Sequence, residues 1–184
     1  MTQQEFFEAF LRIIESLDIP YMVAGSVGAM IYGEPRMTND MDVVLELKER
    51  DVTRLIHLLN KVDWYVPPEE LILKEVHRPG SFNIIHAESG SKIDIILRKN
   101  NAFAKTEFGR RKIQPFTDSY EAYIAAAEDI IIMKLIYYQQ GKAEKHLVDV
   151  ASILEISAEE LDLSYLESWI DQLDLANEWE KVRK

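Results

Sequence analysis

At 184 residues, with 47% hydrophobic and 29% charged side chains, the chain has the size and balance of one globular unit, and none of its apolar runs approaches the roughly 20 residues that span a bilayer. A net charge of -11 argues against a broad nucleic-acid-binding face, and zero cysteines exclude a disulfide framework and a thiolate metal site. The expectation is a cytoplasmic protein that does not engage membranes.

The first segment, "TQQEFFEAFLRIIESLDI", places apolar residues at helical spacing, and Pro20 ends it. "YMVA" then reads as a short buried strand, and Gly25-Ser26 turns into a helix over about Val27 to Tyr32. "GEPRMTN" is loop by its Gly, Pro and Asn content. In "DMDVVLEL", Met41, Val43, Leu45 and Leu47 alternate with Asp40, Asp42, Val44 and Glu46, which predicts a strand carrying both aspartates on one face.

Val52, Leu55, Ile56, Leu59 and Val62 mark a crossover helix, and residues 63–79 read as irregular because Pro67-Pro68 forbids regular pairing. "SFNIIHAESGSKIDIILR" predicts a hairpin turning at Glu88 to Ser91, and "RRKIQPF" a further strand or edge. From Ser119 onward the pattern reads as helices, first through "SYEAYIAAAEDIIIMKLIYYQQ", with Ser157 as the N-cap of a later one. The expected organisation is an α/β (α+β) core over 1–116, with a mixed sheet and an N-terminal helix, followed by a C-terminal helical bundle over 117–184.

Asp40 and Asp42 are about 6.6 Å apart along one strand face, within joint reach of a pair of divalent ions. Asp94, in the apolar strand "KIDIIL", joins them if its strand lies alongside. Three such charges repel, so either a cation neutralises them or some are protonated. Magnesium suits an all-oxygen donor set completed by phosphate, and manganese is the alternative. Gly25 permits close backbone approach, and the helix start after it offers free N–H groups and the Ser26 hydroxyl to a phosphate.

Arg36 and Thr38 lie in the loop leading to Asp40 and either steady a triphosphate or hold the loop. Lys134, set among Ile131, Ile132, Met133, Leu135 and Ile136, must snorkel outward or enter a polar cleft. Tyr32, Trp64, Tyr137 and Tyr138 are core aromatics before they are base-stacking ones. The four histidines have no metal-ligand spacing. Arg98, Lys99, Lys105, Arg110, Arg111 and Lys112 form either a local basic patch for a polynucleotide or a set of solvated loop charges.

Strand, Gly25-Ser26, helix, Asp40-x-Asp42 and a later Asp94 together resemble the nucleotidyltransferase superfamily. Asp129, Lys134, Lys145 and Asp149 extend the likeness, over about residues 20–155, to the AbiEii-type abortive-infection toxins. The resemblance implies a polymerase-β-like fold and transfer of a nucleoside monophosphate from an NTP to a hydroxyl of RNA (a tRNA end, for example), a protein or a small molecule. It implies Asp40, Asp42 and Asp94 as metal ligands and catalytic residues, with Gly25, Ser26, Arg36, Thr38, Lys134 and Asp149 at the nucleotide and Asp129 supporting Lys134. It also implies an antitoxin or other protein partner. The alternatives are a non-catalytic nucleotide sensor or interaction module of the same fold and, with less support, a D-x-D glycosyltransferase.

Overall fold

The computed structural model describes residues 1–60 and 64–183. Thr2 starts α1 (Gln3–Ser16) with a capping box: its hydroxyl accepts from the Glu5 amide while the Glu5 carboxylate accepts from the Thr2 amide. Phe6, Phe10, Leu11 and Ile14 form the buried stripe of this helix, and Phe6 meets Trp64 edge-on at 4.8 Å. The helices α3 (Glu49–Leu59) and α4 (Glu69–His77) pack on one another, and α3 also packs on α1.

Residues expected to be irregular thus contain α4. Pro68 stands at its N-cap, where a ring with fixed φ and no N–H costs nothing, so the proline pair introduces a helix instead of breaking one. Val62 and Asp63 lie outside the described residues.

The sheet has six strands in the order β3-β4-β2-β1-β6-β5: β1 (Tyr21–Ala24), β2 (Asp40–Leu45), β3 (Ser81–His86), β4 (Ser91–Leu97), β5 (Lys112–Thr117) and β6 (Tyr120–Ile124). It is mixed. β2 runs parallel to β4 and β1 to β6, while the β1–β2, β3–β4 and β5–β6 pairs are antiparallel. Met41, Val43 and Leu45 are fully buried on one face of β2, and Asp40 and Asp42 occupy the other.

The strand β6 corrects the helix expected from Ser119. Its burial alternates, with Tyr120, Ala122 and Ile124 inside and Glu121 and Tyr123 outside, and this period of two belongs to a strand. The sheet therefore continues to Ile124 before the helices resume.

Those helices are α6 (Ala127–Gly141), which packs against α2 (Gly25–Tyr32), α7 (Lys145–Ile156), α8 (Leu163–Gln172) and the short α9 (Ala176–Trp179). Ser157 stands, as expected, at the N-cap of the short 3-10 turn Ala158–Glu160, but its hydroxyl makes no capping bond and donates instead to the Tyr32 carbonyl at 2.7 Å, tying the end of α7 to the end of α2. Tyr32, Trp64 and Tyr138 are core residues.

A charge cluster ties α5 (Ala102–Arg110) to this layer. Arg110 reaches Glu128 at 2.9 Å and Asp129 at 3.1 Å and lies 3.7 Å over the Tyr165 ring, while the Tyr165 hydroxyl donates to Asp129. Asp129 is fully buried and bonded to Arg110 and Tyr165, so the support it was expected to give Lys134 goes instead to α5 and α8. Of the residues read as either a basic patch or solvated loop charges, Arg110 is engaged here, Arg98 by Glu46 at 2.9 Å, and Arg111 by the Phe108 carbonyl and ring.

Arg110→Ala removes the cation shared by two buried carboxylates and leaves Asp129 with the Tyr165 hydroxyl and Glu128 with the Asp162 amide. It is expected to lower stability by about 3–5 kcal/mol, the range for breaking a buried ion pair from one side. A urea denaturation midpoint measures this, and Arg110→Lys should recover only part of the loss because it loses the second hydrogen bond.

Candidate functional site

The ladder between β2 and β4 pairs Asp42 with Asp94 and Asp40 with Lys92. Adjacent strands are about 4.8 Å apart, so the Asp42 and Asp94 carboxylates share one face as neighbours. Lys92, two residues before Asp94 and hence on the same face, places its Nζ 2.9 Å from Asp94 Oδ2 and 3.7 Å from Asp40 Oδ2. The Asp94 hydrogen bond is the main reason that the Lys92 pKa rises above its ordinary value. Asn83, opposite Asp94 on β3, donates to Asp94 Oδ1 at 2.7 Å with its amide oriented by that contact.

Asp42 is the most enclosed of the three. Burial foremost, then the charges of Asp94 and Asp40, push its pKa up, against the opposing pull of Lys134 and a hydrogen bond from the Ser26 backbone. Gly25, at φ +59°, makes the turn from β1 into α2, and a Cβ on it would stand 1.8 Å from Asp42 Oδ2. The glycine serves both the left-handed conformation and the closeness of that carboxylate.

The other residues anticipated around a nucleotide divide into a network and a strut. Arg36 donates from Nε to Asp149 Oδ1 at 2.8 Å and from Nη2 to Oδ2 at 3.1 Å, and also from Nη2 to Ser26 Oγ. Lys134 donates from Nζ to Ser26 Oγ at 3.2 Å and to Asp149 Oδ2. Ser26, Arg36, Lys134 and Asp149, from four separate segments, therefore form one hydrogen-bonded cluster at the start of α2. Thr38 lies apart from it: its hydroxyl bonds the backbone of Asp40 and its carbonyl accepts from Gln3, which steadies the approach to β2.

Lys134 has entered a polar cleft and not snorkelled outward. Burial lowers its pKa, with Asp149 opposing. For Asp149, burial acts to raise the pKa, but the hydrogen bonds from Arg36 and Lys134 outweigh it and hold the group below the ordinary carboxylate value. Two cations and one carboxylate leave the cluster with one net positive charge beside the N-terminal N–H groups of α2.

A cavity of about 530 Å³ opens beside Asp42, Gly25 and Lys134 and extends between α5, α6 and α8 to Phe103, Glu107, Tyr137 and Trp169. Asp40 and Asp94 are not among its lining residues. Glu107 is buried, and its pKa is pushed up to about 8, first by burial and then by the charge of Asp129, with Lys99 opposing.

All the donors at Asp40, Asp42 and Asp94 are carboxylate oxygens, and Asp42 carries the strain of like charges. That chemistry fits a hard divalent cation. Among the described residues no three His, Cys, Asp or Glu side chains already converge as an ion cage. Lys92 instead neutralises Asp40 and Asp94, and an ion would displace its ammonium.

Lys92 and Glu107 escaped the sequence reading, as did Asn83, Phe103 and Trp169. Lys92 is detectable from strand alternation with Asp94. Glu107 gives no signal, because in "AFAKTEFGR" it is one of many polar helix positions.

No protein-family model matches the sequence, and no curated protein does. Solved structures do match. The lincosamide antibiotic adenylyltransferase LnuA, lincomycin-bound, aligns with a TM-score of 0.57 at 14% identity over 85% of this chain and 98% of its own. ANT(2")-Ia in complex with adenylyl-2"-tobramycin gives 0.60 at 14% over 91% and 98%. An antigenic nucleotidyltransferase-like protein from Paracoccidioides brasiliensis gives 0.55 at 16% over 83% and 75%. The chain has the α/β nucleotidyltransferase-like fold: a mixed six-stranded sheet followed by C-terminal helices.

Gly25→Ala is expected to cost about 1–2 kcal/mol through the left-handed backbone alone, and more through displacement of Asp42, as read by chemical denaturation. Glu107 sets a pH dependence. Between the ordinary carboxyl value of 4.5 and about 8, the folded chain holds a proton that the unfolded chain releases, so this group's contribution to stability falls as pH rises through that window. The melting temperature of Glu107→Gln relative to wild type should therefore climb steadily from about pH 5 to about pH 8.

Proposed function

We propose that this protein transfers a nucleoside monophosphate from an NTP to the hydroxyl of a small-molecule acceptor, with Asp40, Asp42 and Asp94 holding magnesium or manganese. The observation that carries this reading is that the register-matched pair Asp42 and Asp94 and the net-positive Ser26–Arg36–Lys134–Asp149 cluster each place one member, Asp42 and Lys134, in the wall of one ligand-sized cavity. When bound, the divalent ion supplies charge neutralisation of the polyphosphate.

The β- and γ-phosphates lie against the start of α2, where backbone N–H groups, Ser26, Arg36 and Lys134 receive them. Asp149 keeps both cations charged and aimed, and Thr38 steadies the strand entry. The acceptor oxygen forms its bond to the α-phosphorus as the bond to the bridging oxygen breaks and pyrophosphate leaves. Asp94, released from Lys92, takes the hydroxyl proton. Most of the barrier reduction in such a site comes from positioning and charge.

A small acceptor is favoured over RNA or protein by the enclosed, mainly apolar cavity and by the internal pairing of Arg98, Arg110 and Arg111. The neighbours LnuA and ANT(2")-Ia, described with lincomycin and adenylyl-2"-tobramycin, support the same choice by analogy of fold. The toxin reading, with a macromolecular acceptor and an antitoxin partner, rests on the motif spacing of Asp129, Lys134 and Asp149. A non-catalytic nucleotide sensor gains from one feature, the Lys92 ammonium already seated between Asp40 and Asp94.

Incubation with each α-labelled NTP, magnesium or manganese, and separate pools of small-molecule hydroxyl compounds, total RNA and protein decides among these. Wild type is expected to label the small-molecule pool, and Asp42→Asn to lose more than the 10- to 100-fold that removal of an outer-shell partner costs. Label on RNA or protein moves the assignment to the toxin reading. Metal-dependent nucleotide binding without transfer to any pool moves it to the sensor.

A further inference from the structure

The wall of the cavity holds a buried carboxyl that no side chain bonds among the described residues. Of the other charged residues in its walls, Arg98 is engaged by Glu46, Lys134 by Asp149, Asp129 by Arg110 and Tyr165, and Asp42 by the Ser26 backbone, while Lys99 acts on Glu107 through its charge without bonding it. Glu107 has neither a hydrogen bond nor an ion pair among the described residues, although only 8% of it is exposed. A buried carboxyl without a partner is costly unless something supplies one. The surrounding walls are apolar: Phe103 and Trp169 meet edge-to-face at 5.1 Å, and Met133 and Ile136 extend that surface toward Asp42.

We propose that this cavity binds a molecule with an apolar body and one basic amine, the ammonium held by Glu107 and the body packed on Phe103 and Trp169. The assignment deepens the transferase reading and rests on it for the bound molecule's role as acceptor, though not for its binding. An acceptor anchored at Glu107 directs its opposite end toward Asp42, where a hydroxyl would meet the transferred phosphoryl group.

The proton on Glu107 supplies a signature. The groups acting on it are Asp129 on α6, itself bonded to Arg110 on α5, Lys99 in the segment after β4, and the Tyr137 and Tyr165 phenols, which are raised and neutral at physiological pH. Glu107, pushed up to about 8, is the carboxyl that an ammonium held against it must ionise. Amine binding below that value therefore expels a proton, and amine affinity rises with pH until Glu107 is already ionised.

Calorimetry with 4-phenylbutylamine and its neutral counterpart 4-phenylbutan-1-ol tests this on the full chain. The amine is expected to bind at least about 10-fold tighter than the alcohol at about pH 8.5, and its affinity to rise on the order of 50- to 100-fold from about pH 6 to about pH 8.5. Close to one proton should be released per amine bound at about pH 6.5, read from buffers of different ionisation enthalpy. Glu107→Gln should abolish the preference, the proton release and the pH slope together, while Trp169→Ala weakens both ligands alike.

Equal binding of amine and alcohol, amine binding by wild type without proton release, a pH slope that survives in Glu107→Gln, or no binding of either at millimolar concentration each overturns the proposal. Amine preference in a protein that transfers no nucleotide would leave the pocket standing and remove the transferase reading. Nucleotide transfer without amine preference would do the reverse.

Discussion

Carboxylates set side by side in a sheet repel, and at Asp42 and Asp94 the repulsion is fixed by the ladder itself. The parallel register of β2 and β4 leaves neither strand free to slip, because a one-residue shift would turn Met41, Val43 and Leu45 out of the core. The hydrophobic face thus holds the acidic face in an unfavourable arrangement, and the nearby side chains can be understood as responses to it. Lys92 answers Asp40 and Asp94 from within the same strand pair, and the backbone at Ser26 and the charge of Lys134 answer Asp42. Gly25 yields the space that this last carboxylate needs.

The second charged centre obeys the opposite logic. Asp149 satisfies two cations that would otherwise repel each other, and the trio is anchored by hydrogen bonds and not merely by proximity. Its partners come from the loop before β2, from α6 and from α7, so the cluster also bolts the helical layer to the sheet. Asp129 does comparable work for α5 and α8. A single helix, α6, thereby presents Asp129 to one charge network and Lys134 to another, and between them it walls the cavity.

Most of the architecture was legible because its signals are local. Alternation in "DMDVVL" and "KIDIIL" fixed which residues share a face, so Asp40, Asp42 and Asp94 could be grouped before any fold was known. Two elements were misread for identifiable reasons. The strand β6 hides in "YEAYI", whose alanine and glutamate favour helix and whose continuation "AAAEDIII" leads into one; its strand character comes from pairing with the adjacent β5 and with β1, which is distant in sequence. The helix α4 follows a proline pair that closes a strand and equally well opens a helix. At the site, the joint engagement of Ser26, Arg36, Lys134 and Asp149 is a tertiary fact with no local trace. Asp129 illustrates the reverse hazard: the family resemblance implied that it supports Lys134, yet it is bonded to Arg110 on α5 and Tyr165 on α8.

The span of these contacts bears on how the chain is made. Ser26 and Lys134 are 108 residues apart and Arg36 and Asp149 are 113 apart, while β1 gains its parallel neighbour only when Ile124 arrives. During vectorial synthesis the ribosome therefore exposes β1 to β4, with their crowded aspartates, long before Lys134, Asp149 and the sixth strand exist to complete them. A high separation between partners slows the final docking step, and the nascent intermediate carries an open sheet edge at β1. Competence for ligand thus arrives late and all at once, which makes the bound state itself a reporter of finished folding.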